Sequence, residues 1–185
     1  MAAAASSLPP PGRVVWITGL SGAGKSTLAE ALVSTLRGAG EPVVMLDGDA
    51  LREVFGAVDA QHHGRAARLG LALRYAQLCK TLADQGVTVV IATISLFTEV
   101  HAWNRQHLPG YVEVLLDVPL AELRRRDPKG IYRRFDAGEL QDVAGLDLAV
   151  DLPSAPHLHL LHDPARPISA LVDAVIQHLH TRTSP

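Results

Sequence analysis

Gly19-Leu20-Ser21-Gly22-Ala23-Gly24-Lys25-Ser26 decides how this chain folds. The string fits G-x-x-x-x-G-K-[ST] in full. It follows the apolar run Val14-Val15-Trp16-Ile17 and precedes Leu28–Leu36, where apolar residues recur at helical spacing. Such a strand-loop-helix junction has a physical purpose. Glycines let the backbone curl until several N–H groups converge on one phosphate, and the helix N-terminus adds its partial positive charge. Lys25 is then placed to reach the β- and γ-phosphates of a nucleotide, and the Ser26 hydroxyl to ligate Mg²⁺. The bland alternative is a glycine turn that binds nothing; the flanking strand and helix weigh against it.

The alternation of strand and helix continues outward from this loop. Val43-Val44-Met45-Leu46 is a second apolar run, stopped by Asp47-Gly48-Asp49. Leu69–Ala83 reads as a long amphipathic helix, closed by Gly86 as a C′ glycine would close it. Val87–Ala92 reads as a buried strand, followed by a helix around Glu99–His107 and a strand at Tyr111–Leu116. A short helix at Leu120–Arg126, a last strand at His157–Leu161 and a closing helix at Ile168–His180 complete the pattern. Short apolar runs, each followed by a helix, predict an α/β protein. The expected architecture is the P-loop NTPase fold, a parallel sheet of about five strands with helices on both faces. One domain over residues 13–182 is expected, behind a loose tail at residues 1–12. The charged, glycine-containing stretch from 124 to 151 is too polar for core and too long for a turn, and reads as a mobile lid.

Composition narrows the classes of function. The net charge of −2 gives no reason to expect nucleic acid or an acidic membrane as partner. A single cysteine, Cys79, excludes an intramolecular disulfide and fits a reducing, cytoplasmic setting. The N-terminal stretch of small residues and prolines lacks the basic start and long apolar run of a signal peptide. No segment approaches the roughly 20 apolar residues of a membrane span. A small-molecule partner is the remaining expectation.

Asp47-Gly48-Asp49 separates the possibilities that a phosphate loop leaves open. Strand carboxyl ends border the ligand crevice in a doubly wound sheet. Two carboxylates there can accept the proton of an attacking hydroxyl or hold a metal-bound water. They can equally cap a following helix, and Asp49 can do both. No N-K-x-D guanine-reading motif is present, and 185 residues leave little room for a motor.

At this point the residues resemble a known family. The phosphate loop with Thr27, Asp47-Gly48-Asp49 with Arg52, and Ile94-Ser95-Leu96-Phe97 are similar to the adenylylsulfate kinases. So are Asp127-Pro128-Lys129-Gly130-Ile131-Tyr132, Ala137-Gly138-Glu139 and Gly145-Leu146-Asp147, in order from about Arg13 to Asp151. The resemblance implies transfer of the ATP γ-phosphate to the 3′-hydroxyl of adenylylsulfate, a small-molecule nucleotide acceptor, in sulfate assimilation. It implies that Gly19, Gly22, Ala23, Gly24, Lys25, Ser26 and Thr27 hold ATP, with Mg²⁺ on Ser26. Asp49 would sit beside the 3′-hydroxyl with Asp47 supporting it, Arg52 and Arg68 would contact the anionic linkage, and Ile94 and Ser95 the nucleoside. Lys129 would reach the acceptor from the lid. Ser95 also stands where the family has a serine once proposed as a phospho-intermediate, which direct in-line transfer does not need. Related enzymes are often dimers, so a homodimer is a further expectation.

The departures bear on the acceptor. The family sandwiches its acceptor's adenine between two aromatics; here Gly56–His63 carries none at the matching place, and Val143 replaces the second. Leu71 stands where the family has an acceptor-binding asparagine, and Thr98 where an arginine is usual. Phe55, His62 or His63 can supply replacement stacking if adenylylsulfate is the acceptor. Alternatively the acceptor differs: Ser95-Leu96-Phe97 with Trp103-Asn104-Arg105 is similar to a divergent branch that phosphorylates cytidine diphosphoramidate. A nucleotide-binding module without turnover and a small-alcohol kinase are weaker alternatives. Arg124, Arg125 and Arg126 are read as solvated lid residues or acceptor contacts. His157, His159 and His162 lack the further ligands of a zinc site. Leu171, Val175 and Leu179 mark the packed face of the last helix.

Overall fold

Five apolar runs form five parallel strands in the computed structural model, which describes residues 10–56 and 64–181. They are β1 (Val14–Thr18), β2 (Val43–Asp47), β3 (Thr88–Ala92), β4 (Val112–Asp117) and β5 (Leu158–Leu161), in the spatial order β2-β3-β1-β4-β5. The chain visits one side of β1 for β2 and β3, then crosses to the other for β4 and β5. The carboxyl end of β1 therefore faces the crevice where such sheets bind ligands.

Side chains alternate across the sheet with the two-residue period of a strand. Val15, Ile17, Val90, Ala92, Val112 and Val114 pack on one face against α1 (Lys25–Gly38) and α7 (Ile168–Thr181). Val14, Trp16, Val89 and Ile91 pack on the other against α3 (Arg65–Ala83) and α4 (Thr98–His107). Both faces of β1 and β3 are fully covered, so their sequences read as unbroken apolar runs. Val172, Val175 and Leu179 form the buried stripe of α7, as the helical spacing predicts, with Leu171 partly buried beside them.

One helix is absent from the sequence reading, and another entered it only as a helix that Asp47 or Asp49 could cap. The Asp47-Gly48-Asp49 turn opens α2 (Gly48–Val54), and the segment from 124 to 151 contains α6 (Ile131–Asp136) after α5 (Leu120–Arg126). Each is only six or seven residues long, too short to display a periodic apolar face. Nor is that segment wholly polar: Tyr132, Val143 and Ala144 are buried. The helix expected at Leu69 begins at Arg65, because its first turn, Arg65-Ala66-Ala67-Arg68, carries no apolar signal larger than alanine. The tail at residues 1–9 and the histidines His62 and His63 lie outside the described residues. Among the described residues no helix is long and apolar enough to cross a membrane.

β4 hides a polar exception. Glu113 is fully buried, accepting hydrogen bonds from the His101 ring and the Tyr111 hydroxyl at 2.8 Å each and pairing with Arg105. Burial pushes its pKa up, but the His101 and Tyr111 hydrogen bonds and the neighbouring cations outweigh that and hold it below the ordinary carboxylate value.

Candidate active site

The phosphate loop closes β1 and opens α1. Gly24 precedes the helix with φ of 96°, a left-handed conformation that strains any side-chain-bearing residue. Lys25 begins the helix, and its ammonium donates to the Leu20 carbonyl at 2.8 Å. Burial and then the charge of Lys129 pull the Lys25 pKa down to about 8, against the opposing pull of Asp49 and Asp47. A lysine so perturbed beneath converging N–H groups is poised for an anion.

Asp47 ends β2 directly beside this loop. One carboxylate oxygen accepts the Ser26 hydroxyl at 2.7 Å; the other caps α2 by accepting the Asp49 N–H at 2.9 Å. Burial raises the Asp47 pKa, but those hydrogen bonds outweigh it and hold the group below its usual value. Capping is therefore real, and it belongs to Asp47 alone. Asp49, released from that task, points its carboxylate at the Lys129 ammonium. Both side chains are more than half exposed, so the pair is screened by water and readily exchanged for another partner. Gly48 between them has no room for a methyl group, since a Cβ would meet the Thr93 hydroxyl at 2.9 Å.

These residues line one end of a cleft of about 720 Å³. Arg52 and Arg68 line the same cleft, and burial together with the Arg52 charge lowers the Arg68 pKa. A partly desolvated cation repelled by a second cation favours an anion beside the two. Arg68 also donates to the Asp142 carbonyl at 2.7 Å. Ile94 and Ser95 form the floor. Ser95 is buried, has φ of 31°, and shares a 2.8 Å hydrogen bond with Thr93; the Ile94 carbonyl accepts the Thr18 hydroxyl.

The fold thus brings Gly22, Gly24, Lys25, Ser26, Thr27, Asp47, Asp49, Arg52, Arg68, Ile94, Ser95 and Lys129 to one cleft. Gly19 and Ala23 lie behind the loop, Gly19 against the Leu116 carbonyl and Ala23 in the core. Leu71 and Val143 both line the wall, so the two substitutions noted in the sequence give it an aliphatic lining. Phe55 does not line it; its ring packs 5.8 Å from Tyr75.

The sequence reading overlooked Tyr75, quoted Tyr132 without giving it a role, and left Arg126 between a solvated and an acceptor-contacting position. Tyr75 donates to the Gly48 carbonyl at 3.2 Å, and burial pushes its pKa up to about 12. Tyr132 donates to the Ser21 carbonyl at 2.9 Å and so ties α6 to the phosphate loop. Arg126 pairs with Glu122 at 2.8 Å and reaches the Gly22 carbonyl at 3.4 Å, whereas Arg124 and Arg125 meet only Asp136 and Glu122 among these groups. Nothing in the spacing of these residues distinguishes them from ordinary core or surface positions. The three histidines have separate partners: His157 accepts the Glu113 N–H, His159 meets Asp117, and His162 meets Arg126. No group of three or more His, Cys, Asp or Glu side chains placed to hold a metal ion forms among the described residues.

Comparison with known proteins now has a site to explain. The profile of the adenylylsulphate kinase family matches residues 11–161. An adenylyl-sulfate kinase of Aeromonas hydrophila is 40% identical over 172 residues, covering 91% of this chain and 85% of that protein. A cytidine diphosphoramidate kinase of Campylobacter jejuni is 38% identical over 142 residues, covering 77% and 82%. The solved structure of a Mycobacterium tuberculosis APS kinase, CysC, in complex with AMPPNP and APS superposes with a TM-score of 0.84 at 35% identity, covering 93% of this chain and 99% of that one. A lysine-bearing phosphate loop at the hub of the sheet, facing a carboxylate and a pair of arginines across one cleft, accords with these likenesses. The chain belongs to the adenylylsulphate kinase family and is an ATP-dependent phosphotransferase acting on a hydroxyl group.

Proposed function

We propose that the chain transfers the γ-phosphate of ATP to the 3′-hydroxyl of a nucleotide with an anionic 5′ linkage, adenylylsulfate being the first acceptor expected. One observation carries this reading. A single cleft is lined by the phosphate loop, by Asp49 and by the Arg52–Arg68 pair. The phosphate end suits a triphosphate and the arginine end a second anion, so the hydroxyl to be phosphorylated is presented near Asp49.

In this reading Lys25 and the loop N–H groups offset the charge that spreads over the transferring phosphoryl group. Asp49 exchanges Lys129 for the acceptor hydroxyl, orients it and takes its proton late. Lys129 is then free to meet the acceptor's anionic linkage. Ser95, buried and bonded to Thr93, shapes the floor against the nucleoside. The segment from 124 to 151 acts as the lid that excludes water. Mg²⁺ fits the donors present: the Ser26 hydroxyl and Asp47 carboxylate offer hard oxygens, which suit an ion that keeps several waters and binds through phosphates. When bound it would neutralise phosphate charge beside Ser26.

A second acceptor, cytidine diphosphoramidate, is supported by Val143, which lines the cleft where the family has one of its two adenine-stacking aromatics; Tyr75 and Phe97 are the aromatics among the described lining residues. Incubating purified protein with Mg·ATP and each nucleotide, then following ADP release, separates the two. Saturable turnover with adenylylsulfate supports the first reading, and turnover with cytidine diphosphoramidate alone supports the second. ADP release that neither nucleotide accelerates contradicts both.

A further inference from the structure

Asp151 ends the segment read as a lid and is fastened to the cleft floor from every side. Its N–H donates to the Leu96 carbonyl at 3.0 Å. Its carboxylate accepts the Thr98 N–H at 3.1 Å and pairs with Arg65 at 2.9 Å. The Arg65 guanidinium lies 5.1 Å over the Phe97 ring, within cation–π range, and also meets Glu99 at 3.5 Å. Phe97 itself borders the cleft.

A second line of contacts leads from Asp151 into the core. Its carbonyl oxygen lies 3.0 Å from one nitrogen of the His101 ring, whose other nitrogen lies 2.8 Å from the Glu113 carboxylate. The ring thus bridges the Asp151 backbone and the buried carboxylate. Glu113 is fully buried and held by Tyr111 and Arg105 as well. This gives a charged residue on an otherwise apolar strand a partner: through His101 it meets Asp151, which is bonded to Leu96 and Thr98 beside the cleft. Exposed ion pairs alone seldom fix geometry. Here the Arg65 pair is joined to three backbone hydrogen bonds on a single residue.

We propose that Asp151 is a positioning residue for phosphoryl transfer. It holds the 94–98 floor and, through Arg65, the Phe97 ring in place for the acceptor, while rooting the C-terminal end of the lid. The proposal rests on the reading that a nucleotide acceptor lies against Ile94 and Ser95. It differs from a purely structural role in acting on one end of the cleft. ATP contacts at the phosphate loop do not depend on it.

Two measurements on the full chain test this. In steady-state kinetics with whichever nucleotide is turned over, Asp151→Ala raises the acceptor KM about tenfold or more by removing a charge-assisted hydrogen bond. The ATP KM stays within about twofold, since no contact of Asp151 reaches the loop. Asp151→Asn, which keeps an oxygen for the Thr98 N–H, and Arg65→Gln, which leaves Asp151 intact, each raise the acceptor KM by about threefold. In amide hydrogen exchange without nucleotide, Asp151→Ala and, more weakly, Asp151→Asn speed exchange in peptides spanning 94–98 and 142–151. Peptides spanning 19–27 stay unchanged. Unchanged exchange at 94–98 in a folded variant overturns the proposal, as do ATP and acceptor KM values rising together. Should the wild-type protein phosphorylate no nucleotide, the reading of its function fails, and the exchange experiment still decides whether Asp151 holds the floor.

Discussion

The two ends of the cleft are built by different means. The phosphate end comes from one contiguous string, Gly19–Thr27, and works through backbone geometry at the centre of the sheet. The acceptor end is assembled from side chains on α2, α3, the floor after β3 and the lid, each from a separate part of the sequence. Backbone cradles tolerate little variation, because the dihedral angles and the bound anion specify them together. Side-chain walls can be re-lined one residue at a time, as Leu71 and Val143 illustrate. In the proposed reading the chemistry is held at one end and the choice of acceptor left adjustable at the other.

Mutations can test how separate the two ends are. The largest effect is expected at the chemical centre: Lys25→Ala and Asp49→Ala should each lower kcat by about 10²–10³ or more, the scale of losing one transition-state stabiliser. Circular-dichroism melting checks that the fold survives. Near-normal turnover in a folded Asp49→Ala protein would remove that residue from the reaction. Arg68→Ala should act on one end only, raising the acceptor KM about 10–100-fold for a lost charged hydrogen bond, with the ATP KM nearly unchanged. Equal changes in both constants would mean that the ends are not separable.

Much of this division was legible in the sequence, for physical reasons. Buried parallel strands give unbroken apolar runs, and a phosphate cradle needs glycine at fixed offsets, so β1, β3 and the loop could be read directly, and β2, β4 and β5 from runs that are mostly apolar. The acceptor end resists such reading. α2 opens on Asp-Gly-Asp and carries one buried residue, Leu51, so no periodicity betrays it. Tyr75, Tyr132 and Arg126 reach the site by tertiary folding alone. Glu113 offered a faint signal, a lone charge in an apolar strand, but its partners at positions 101, 105 and 111 cannot be inferred from spacing. The Asp47-Gly48-Asp49 string illustrates both outcomes. Its place at the cleft followed from the strand end, whereas the division of labour, with Asp47 capping and Asp49 turned to Lys129, required the structure.

Smaller effects sharpen the comparison. Val143→Phe restores one aromatic to the acceptor wall and, at about 1–3 kcal/mol per stacked base, should lower the adenylylsulfate KM roughly tenfold. No improvement would argue that the base does not lie against residue 143. The smallest effect is a proton. With its folded pKa near 8, Lys25 loses charge in the native protein between about pH 8 and its ordinary value of 10.5. The unfolded chain binds more protons there, so the destabilisation from burying this charge, full below pH 8, is relieved as pH rises through that window. A triphosphate raises the pKa again, so nucleotide binding near pH 9 should take up a fraction of a proton. Calorimetry in buffers of different ionisation enthalpy measures it, and Lys25→Ala should abolish it.

The most direct test of the joined cleft follows the phosphate itself. Purified protein, Mg·ATP and an acceptor nucleotide can be monitored by ³¹P NMR through to completion. The account predicts one ADP per nucleotide newly phosphorylated on its 3′-oxygen, with Asp49→Ala forming neither. ADP without a phosphorylated nucleotide, or phosphate at another position, would contradict it.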